Sequence, residues 1–434
     1  MPSRHWIKAL LKAPLGLAII GGLSMGVTVA PVGAWPLAWV ALAPLWIVVC
    51  SSDKLRSAGA RTMRSAAGYG FVWGLLYGGI VVHWLWFLHP LTWMGVPWLA
   101  SLAIAAFCWG IVAITGGLWI GAWAACFALL SRAAGHQRST WAVTQRLLLG
   151  TALWAGLDMI MRQGILYWPS LALTQSPVNL VALHLSRLSG PTTLSVAIVA
   201  VNGLLAEAWL QARWMRLDAK GVPQRESTQF HGLNPSKGLK GSEAVRPKHL
   251  IAAALGVLIG VHGLGLLILH LPTPSGVPLT VGIIQGNIPT RIKLFGEGIR
   301  RALQGYTQGY ETLAAKGAEV VVLPEGALPF RWRQEREPEV RNPLAAAIHD
   351  RGVTALVGTF ALREGKLTQS LLAVEGDGTI AGRYDKLKLV PLGEYIPLQD
   401  TLGKLVGRLS PVQSDMLPGS SRQTFMAGFG QAIA

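Results

Sequence analysis

The chain has 434 residues, of which 51% are hydrophobic and 14% charged, and its mean hydropathy is +0.42. Soluble globular chains carry roughly a quarter charged residues, so this is the composition of a membrane protein. The net charge of +17 invites a nucleic-acid reading, but its distribution argues against a basic face, because residues 1–272 hold 20 Lys/Arg against 6 Asp/Glu while residues 273–434 hold 18 against 15. The excess belongs to short loops between apolar segments.

Apolar segments run over 14–30, 34–50, 67–88, 97–130, 146–161, 188–212 and 250–271. Most approach the ~20 residues that cross hydrocarbon. The first two and the fifth are short, and the fourth is long enough to tilt. Arg4, Lys8 and Lys12 precede the first run as in a secretory signal, but the many later segments make it a retained helix. Eighteen tryptophans against ten phenylalanines fit aromatic belts at the membrane surface. Cys50, Cys108 and Cys126 all lie in apolar segments without metal-ligand or CxxC spacing, so neither a disulfide framework nor a metal site is expected.

With a cytoplasmic N-terminus, the inner loops carry Arg4, Lys8, Lys12, Lys54, Arg56, Arg61, Arg64, Arg132, Arg138, Arg146 and eight more cations between Arg213 and Lys248. The outer connections hold Arg162 and Arg187. That asymmetry satisfies the positive-inside rule, and seven crossings put everything after Pro272 outside the cytoplasm. Residues 213–248 are polar, without apolar periodicity, and read as a flexible cytoplasmic linker. His83, His262 and His270 fall in spans and read as hydrogen-bonded packing residues. Asp158 and Arg162 form either an i,i+4 pair facing a polar cavity or a snorkelling arginine beside a lone carboxylate. The spans show no clear inverted repeat or paired intramembrane charges, which argues against a transporter.

From Leu279 the texture changes. "LTVGIIQGN" reads as a buried strand and 297–316 as a helix exposing Arg300, Arg301 and Lys316. "EVVVLPEG" (319–326) is a second strand, buried on both faces. Next come a helix over 338–351, a strand "TALVGTFAL", and a hairpin turning at Gly376-Asp377-Gly378. Strand–helix alternation followed by a hairpin predicts an α/β domain with a mixed sheet. Glu325 closes the buried strand, and two readings stand: a loop carboxylate meeting water, or a base at the carboxyl end of a strand, where α/β folds place chemistry. Lys386 and Glu394 flank a valine–proline segment, and "RQTFMAGFGQAIA" (422–434) reads as an incoming hairpin.

Gln285-Gly286-Asn287, Leu323-Pro324-Glu325, Tyr384-Asp385-Lys386 and Val390-Pro391-Leu392-Gly393-Glu394-Tyr395 closely resemble the nitrilase-type domain of apolipoprotein N-acyltransferases. The order of domains resembles that family too, over nearly the whole chain. The resemblance implies a multi-span helical membrane domain (1–272) followed by an extracytoplasmic α-β-β-α nitrilase-like domain (273–434). It assigns Glu325 as general base, Lys386 as the cation stabilising the oxyanion, and Glu394 as a supporting acid that orients or tunes Lys386. The nucleophile would be a cysteine after "GFGQAIA"; no cysteine follows Cys126. The chain therefore reads as incomplete at its C-terminus and, as given, is expected to lack acyltransferase activity.

The implied reaction moves a fatty acyl chain from a membrane phospholipid through a thioester to the α-amino group of a diacylglyceryl-modified lipoprotein, at the outer face of a bacterial inner membrane. No metal or nucleotide cofactor is required. A membrane-tethered nitrilase-type amidase and a non-catalytic protein binding lipid or lipoprotein are the alternatives. Two departures stand out. Thr368-Gln369 occupies the usual Tyr-Asn position, and the order of Tyr167-Trp168-Pro169 differs from the family's aromatic–proline segment, favouring interfacial anchoring there.

Overall fold

The computed structural model describes residues 13–51, 60–131, 139–164, 170–220, 244–272, 276–332, 342–391, 393–396, 416–420, 424–427 and 430–433. Tyr167-Trp168-Pro169 and most of the predicted linker, 221–243, lie outside the described residues. Two compact units emerge: Met1–Pro90 with Pro97–Thr273, and Leu91–Val96 with Pro274–Ala434.

The first unit is helical: α1 Pro14–Gly26, α2 Ala43–Ser51, α3 Ala60–Val81, α4 Trp98–Leu130, α5 Thr140–Gln163, α6 Pro191–Ala219 and α7 Pro247–His270. Each predicted apolar segment corresponds to one of these. Among the described residues, α4, α6 and α7 are long and apolar enough to cross a membrane. Helix α6 runs on to Ala219, so residues 213–219 are helical rather than linker. Glycines let backbones approach closely: a methyl on Gly70 would press on Ala124 at 2.8 Å, and one on Gly117 would meet the Phe71 ring at 2.8 Å.

One expectation about charge needs correcting. Arg146 is no loop cation. It lies inside α5, 3% exposed, and its guanidinium donates to both oxygens of Glu207 on α6, Nε at 2.8 Å and Nη2 at 2.7 Å. Glu207 is fully buried and also accepts the Trp46 indole N–H at 3.2 Å. Paired charges therefore do occur in the helical core. Trp46, Trp73 and Trp123 are core residues with no exposure, whereas Trp84, Trp98 and Trp141 are more than half exposed. Trp73 donates to Ala41 O at 3.1 Å and Trp123 to Gly150 O at 2.9 Å, so each ring is buried with its polar N–H satisfied. Asp158 and Arg162 do pair, at 3.0 Å, and Thr192 Oγ1 donates to the same carboxylate oxygen at 3.0 Å. His262 Nδ1 bonds Leu258 O at 2.9 Å and its Nε2 meets the Asn179 amide at 3.2 Å.

The second unit is built on a five-stranded sheet of order β1-β2-β3-β4-β5, with β1 Val281–Ile283, β2 Val320–Val322, β3 Thr354–Arg363, β4 Lys366–Val374 and β5 Ile380–Asp385. The first three run parallel and the last three antiparallel, the mixed sheet expected from helix crossovers followed by hairpins. Helix α8 (Gly296–Ala315) buries Ala302, Tyr306 and Tyr310, and α9 (Pro343–Arg351) buries Leu344, Ala347 and Ile348. Asn342 caps α9, accepting the Leu344 N–H at 3.1 Å. Glu364 and Gly365, both at positive φ, make the two-residue turn between β3 and β4. Strand β1 is not the buried strand expected: among the described residues it is the sheet's edge, with Val281 46% and Ile283 74% exposed. Strands β6 (Thr424–Ala427) and β7 (Gly430–Ile433) pair antiparallel as a separate hairpin.

Removing one partner of a buried ion pair strands the other charge. Arg146→Met should therefore cost about 3–5 kcal/mol, read as a lower midpoint of thermal unfolding for the purified protein in detergent. The double variant Arg146→Met, Glu207→Leu should recover most of that loss.

Candidate active site

Val320, Val321 and Leu323 are buried, which holds β2 against its neighbours, and Leu323 N–H continues the ladder to Leu356 O at 2.9 Å. The chain then turns: Ala327 N–H bonds Pro324 O at 3.1 Å, and Leu328 N–H returns to Gly358 O at 3.0 Å. Gly326 takes φ +58, a conformation glycine adopts without strain. Below the turn, any β-carbon on Gly358 would collide with Pro324 O. Glu325 is thus raised on a tight arch at the carboxyl end of a central strand, its side chain 59% exposed.

Lys386 follows the last residue of β5. Its N–H bonds Gln369 O and its carbonyl accepts Gly419 N–H, each at 2.8 Å, so its backbone is tied on both sides. Glu394 sits in a turn whose N–H bonds Val390 O at 2.9 Å, while its Oε2 accepts Val390 N–H at 2.7 Å. From these three segments the side chains converge. Lys386 Nζ donates to Glu325 Oε1 at 2.8 Å and to Glu394 Oε1 at 2.9 Å. The three residues named from the sequence are thus brought together around one ammonium group.

Partial burial alone would lower the pKa of Lys386. Its hydrogen bonds to Glu325 and Glu394, with their charges, outweigh that and raise it above the ordinary lysine value. The ammonium is therefore a fixed cation at neutral pH. Glu325 carries the more exposed carboxylate, while Glu394 is 13% exposed, pinned through both oxygens. Of the two carboxylates, Glu325 is therefore the more accessible and Glu394 the more tightly held.

Sequence reasoning passed over Lys293 and took Asp385 only as a member of Tyr384-Asp385-Lys386. Lys293 Nζ donates to Glu325 O at 3.4 Å, and the only signal is its position shortly after Gln285-Gly286-Asn287. Asp385, beside Lys386, is 5% exposed. Burial would push its carboxyl up, but hydrogen bonds from Arg383 and Ser370 hold it below the usual range. Among the described residues, no group of three or more His, Cys, Asp and Glu could hold a metal ion.

A helical, apolar body joined to a mixed-sheet domain of this kind is the arrangement of a membrane protein carrying a carbon–nitrogen hydrolase domain. Residues 280–430 match the carbon–nitrogen hydrolase family model, and residues 21–204 match that of the apolipoprotein N-acyltransferase N-terminal domain. Curated relatives named apolipoprotein N-acyltransferase include one from Nostoc sp., 43% identical over 411 residues, covering 94% of this chain and 73% of that protein. Another from Synechocystis sp. is 38% identical, covering 94% and 75%, and one from Thermosynechococcus vestitus is 36% identical, covering 98% and 72%. The chain belongs to the apolipoprotein N-acyltransferase family.

The raised Lys386 value has a measurable sign. A lysine whose folded pKa exceeds its unfolded value of about 10.4 stabilises the fold fully below that pH and loses the contribution as pH rises through the folded value. Glu394→Gln should bring the Lys386 value down, observed by NMR of ¹³C-methylated lysines with Lys386→Arg assigning the resonance.

Proposed function

We propose that this protein transfers a fatty acyl chain from a membrane phospholipid to the N-terminal amino group of a diacylglyceryl-modified bacterial lipoprotein. The observation carrying the proposal is the Lys386 ammonium held by Glu325 and Glu394 within a carbon–nitrogen hydrolase domain behind a lipid-embedded body. Glu325 acts as general base, taking the proton of a thiol as its sulfur attacks the ester carbonyl. Lys386 faces the negative charge that develops on the carbonyl oxygen, and Glu394 keeps the lysine charged and aimed. The ester C–O bond breaks, and the lysophospholipid oxygen leaves with the proton that Glu325 held. In the second half the lipoprotein amine attacks the thioester, the C–N bond forms, the C–S bond breaks, and Glu325 passes the amine proton to the departing sulfur. The residues here supply base, oxyanion cation and support; Cys50, Cys108 and Cys126 all lie in helices of the membrane unit.

The lipid donor and lipoprotein acceptor suit a chain that is in large part membrane helix. We further propose seven crossings with the hydrolase-type domain on the periplasmic side of the inner membrane. Taking Arg146 out of the loop cations leaves the charge asymmetry between the two sets of loops intact.

The test is complementation by the gene, with all that its reading frame encodes around residues 1–434, in a bacterium depleted of its own N-acyltransferase. Glu325→Ala and Lys386→Ala should each abolish rescue and reduce lipoprotein N-acylation by about a hundredfold or more, scored by mass spectrometry of a reporter lipoprotein. Unchanged acylation in either variant would sink the assignment of that residue.

A further inference from the structure

Behind Lys386 lies a second charged cluster that touches no reacting atom. Asp385 Oδ1 accepts Ser370 Oγ–H at 2.6 Å and Arg383 Nε–H at 2.8 Å, and its Oδ2 accepts Arg383 Nη2–H at 3.1 Å. Arg383 also donates to Thr368 Oγ1 at 2.9 Å and to Leu362 O at 3.0 Å. Thr368 Oγ1 lies 2.8 Å from Ser370 Oγ. Because Ser370 gives its one proton to Asp385, Thr368 donates to Ser370, and the polar groups form a directed chain ending on the carboxylate. Arg363, at the end of β3, approaches the same carboxylate, Nη1 to Oδ2 at 3.5 Å. Its Nη2 donates to Pro418 O.

Pro418 belongs to the short segment Met416–Gly419, whose backbone is bonded to the candidate site. Met416 N–H bonds Glu394 O at 2.9 Å, Leu417 N–H bonds Leu367 O at 2.8 Å, and Gly419 N–H bonds Lys386 O at 2.8 Å. One strap therefore joins the main chains of Glu394 and Lys386. Gly419 has no room for a side chain: a β-carbon there would collide with Asp385 O and meet Leu387 at 3.1 Å. Three devices hold the strap down, namely the Lys386 and Glu394 ladders, the Arg363 fork and the close seat of Gly419.

We propose that Arg363 is a positioning residue for the acyl-transfer site, bridging Asp385 and the Met416–Gly419 strap so that Lys386 and Glu394 keep their separation. Its planar fork suits the task, since two nitrogens address a carboxylate and a carbonyl at once, which a lysine ammonium on a flexible stem does poorly. A misplacement of about 1 Å in such a constellation costs up to about a hundredfold in rate. The inference rests on the reading of Lys386 as the oxyanion cation.

The experiment measures kcat and KM for a fluorescent diacyl phospholipid and a diacylglyceryl peptide acceptor, using the protein from its entire reading frame in detergent. Arg363→Met should lower kcat at least about tenfold with KM for both substrates within twofold, and Arg363→Lys should recover only part of the loss. Gly419→Ala displaces the strap without removing a charge and should show the same split, so the idea stays testable even where Arg363→Met fails to fold. Normal kcat in Gly419→Ala, or in a folded Arg363→Met, overturns the positioning role. So does full recovery by Arg363→Lys, or a loss seen only in thermal stability. Lys386→Ala, run in parallel, separates the two readings. If it is inactive while Arg363→Met and Gly419→Ala are normal, only the positioning role fails; if it is active, the assignment of Lys386 fails.

Discussion

Lys386 shares its ammonium between Glu325 and Glu394 at 2.8 and 2.9 Å, and each of the three side chains arrives from a different part of the second unit. A cation shared by two carboxylates is stable only if the backbones carrying them cannot drift, because each hydrogen bond weakens steeply with distance and angle. Much of the local architecture serves that constraint. The buried valines anchor the strand that lifts Glu325, and bare Gly358 lets the Pro324–Gly326 arch lie close. Both backbone polar groups of Lys386 are bonded, and Glu394 is tied through main chain and side chain alike. The contrast in exposure between the carboxylates follows: Glu394 is held through both oxygens, and Glu325 keeps the more accessible side chain.

The helical unit meets a related constraint with a different solution. Arg146 and Glu207 are both removed from solvent; the guanidinium donates to both carboxylate oxygens and the Trp46 indole N–H adds a third hydrogen bond to Glu207. Burying such a pair adds little net stability over apolar residues, but a stranded partner is costly, so the pair strongly specifies how α5, α6 and α2 meet. Asn202 acts similarly without charge. Its side-chain oxygen accepts the Leu42 and Ala43 N–H groups at 2.8 and 2.9 Å, and its amide donates to Ala38 O at 2.9 Å and Ile198 O at 2.8 Å. These contacts satisfy backbone groups where the chain kinks ahead of α2.

What the sequence revealed and concealed divides along physical lines. The apolar runs, the strand 320–323 and the turn at Gly376-Asp377-Gly378 were legible because composition and local turn chemistry decide them. Glu325 stood out from its place at the end of a buried strand but with two readings open, and its grouping with Lys386 and Glu394 was legible only through motif resemblance, since no periodicity relates positions so far apart. Arg146 was misread as a loop cation because its partner Glu207 lies 61 residues away, and one-dimensional charge counting cannot pair them. The tryptophan count does not say which rings are buried: the indole N–H groups of Trp73 and Trp123 find backbone carbonyls in the helical core, while Trp84 and Trp141 remain exposed. Strand β1 looked buried because its residues are apolar, whereas its place at the sheet edge is a property of pairing order.

The Thr368-Gln369 departure illustrates how side-chain identity and structural role separate. A different pair at this position removes any support that depended on the family's usual tyrosine and asparagine. In this fold Gln369 supports Lys386 through its carbonyl oxygen, a service any residue in the same register provides. Thr368 is used through its hydroxyl, accepting from Arg383 and donating toward Ser370, so the change of side chain is matched by a polar chain that ends on Asp385. Both positions therefore bear on the Lys386 segment, Gln369 through its main chain and Thr368 through the polar chain to Asp385. A substitution in a motif weakens an assignment only when the side chain, rather than the strand register beneath it, carried the interaction.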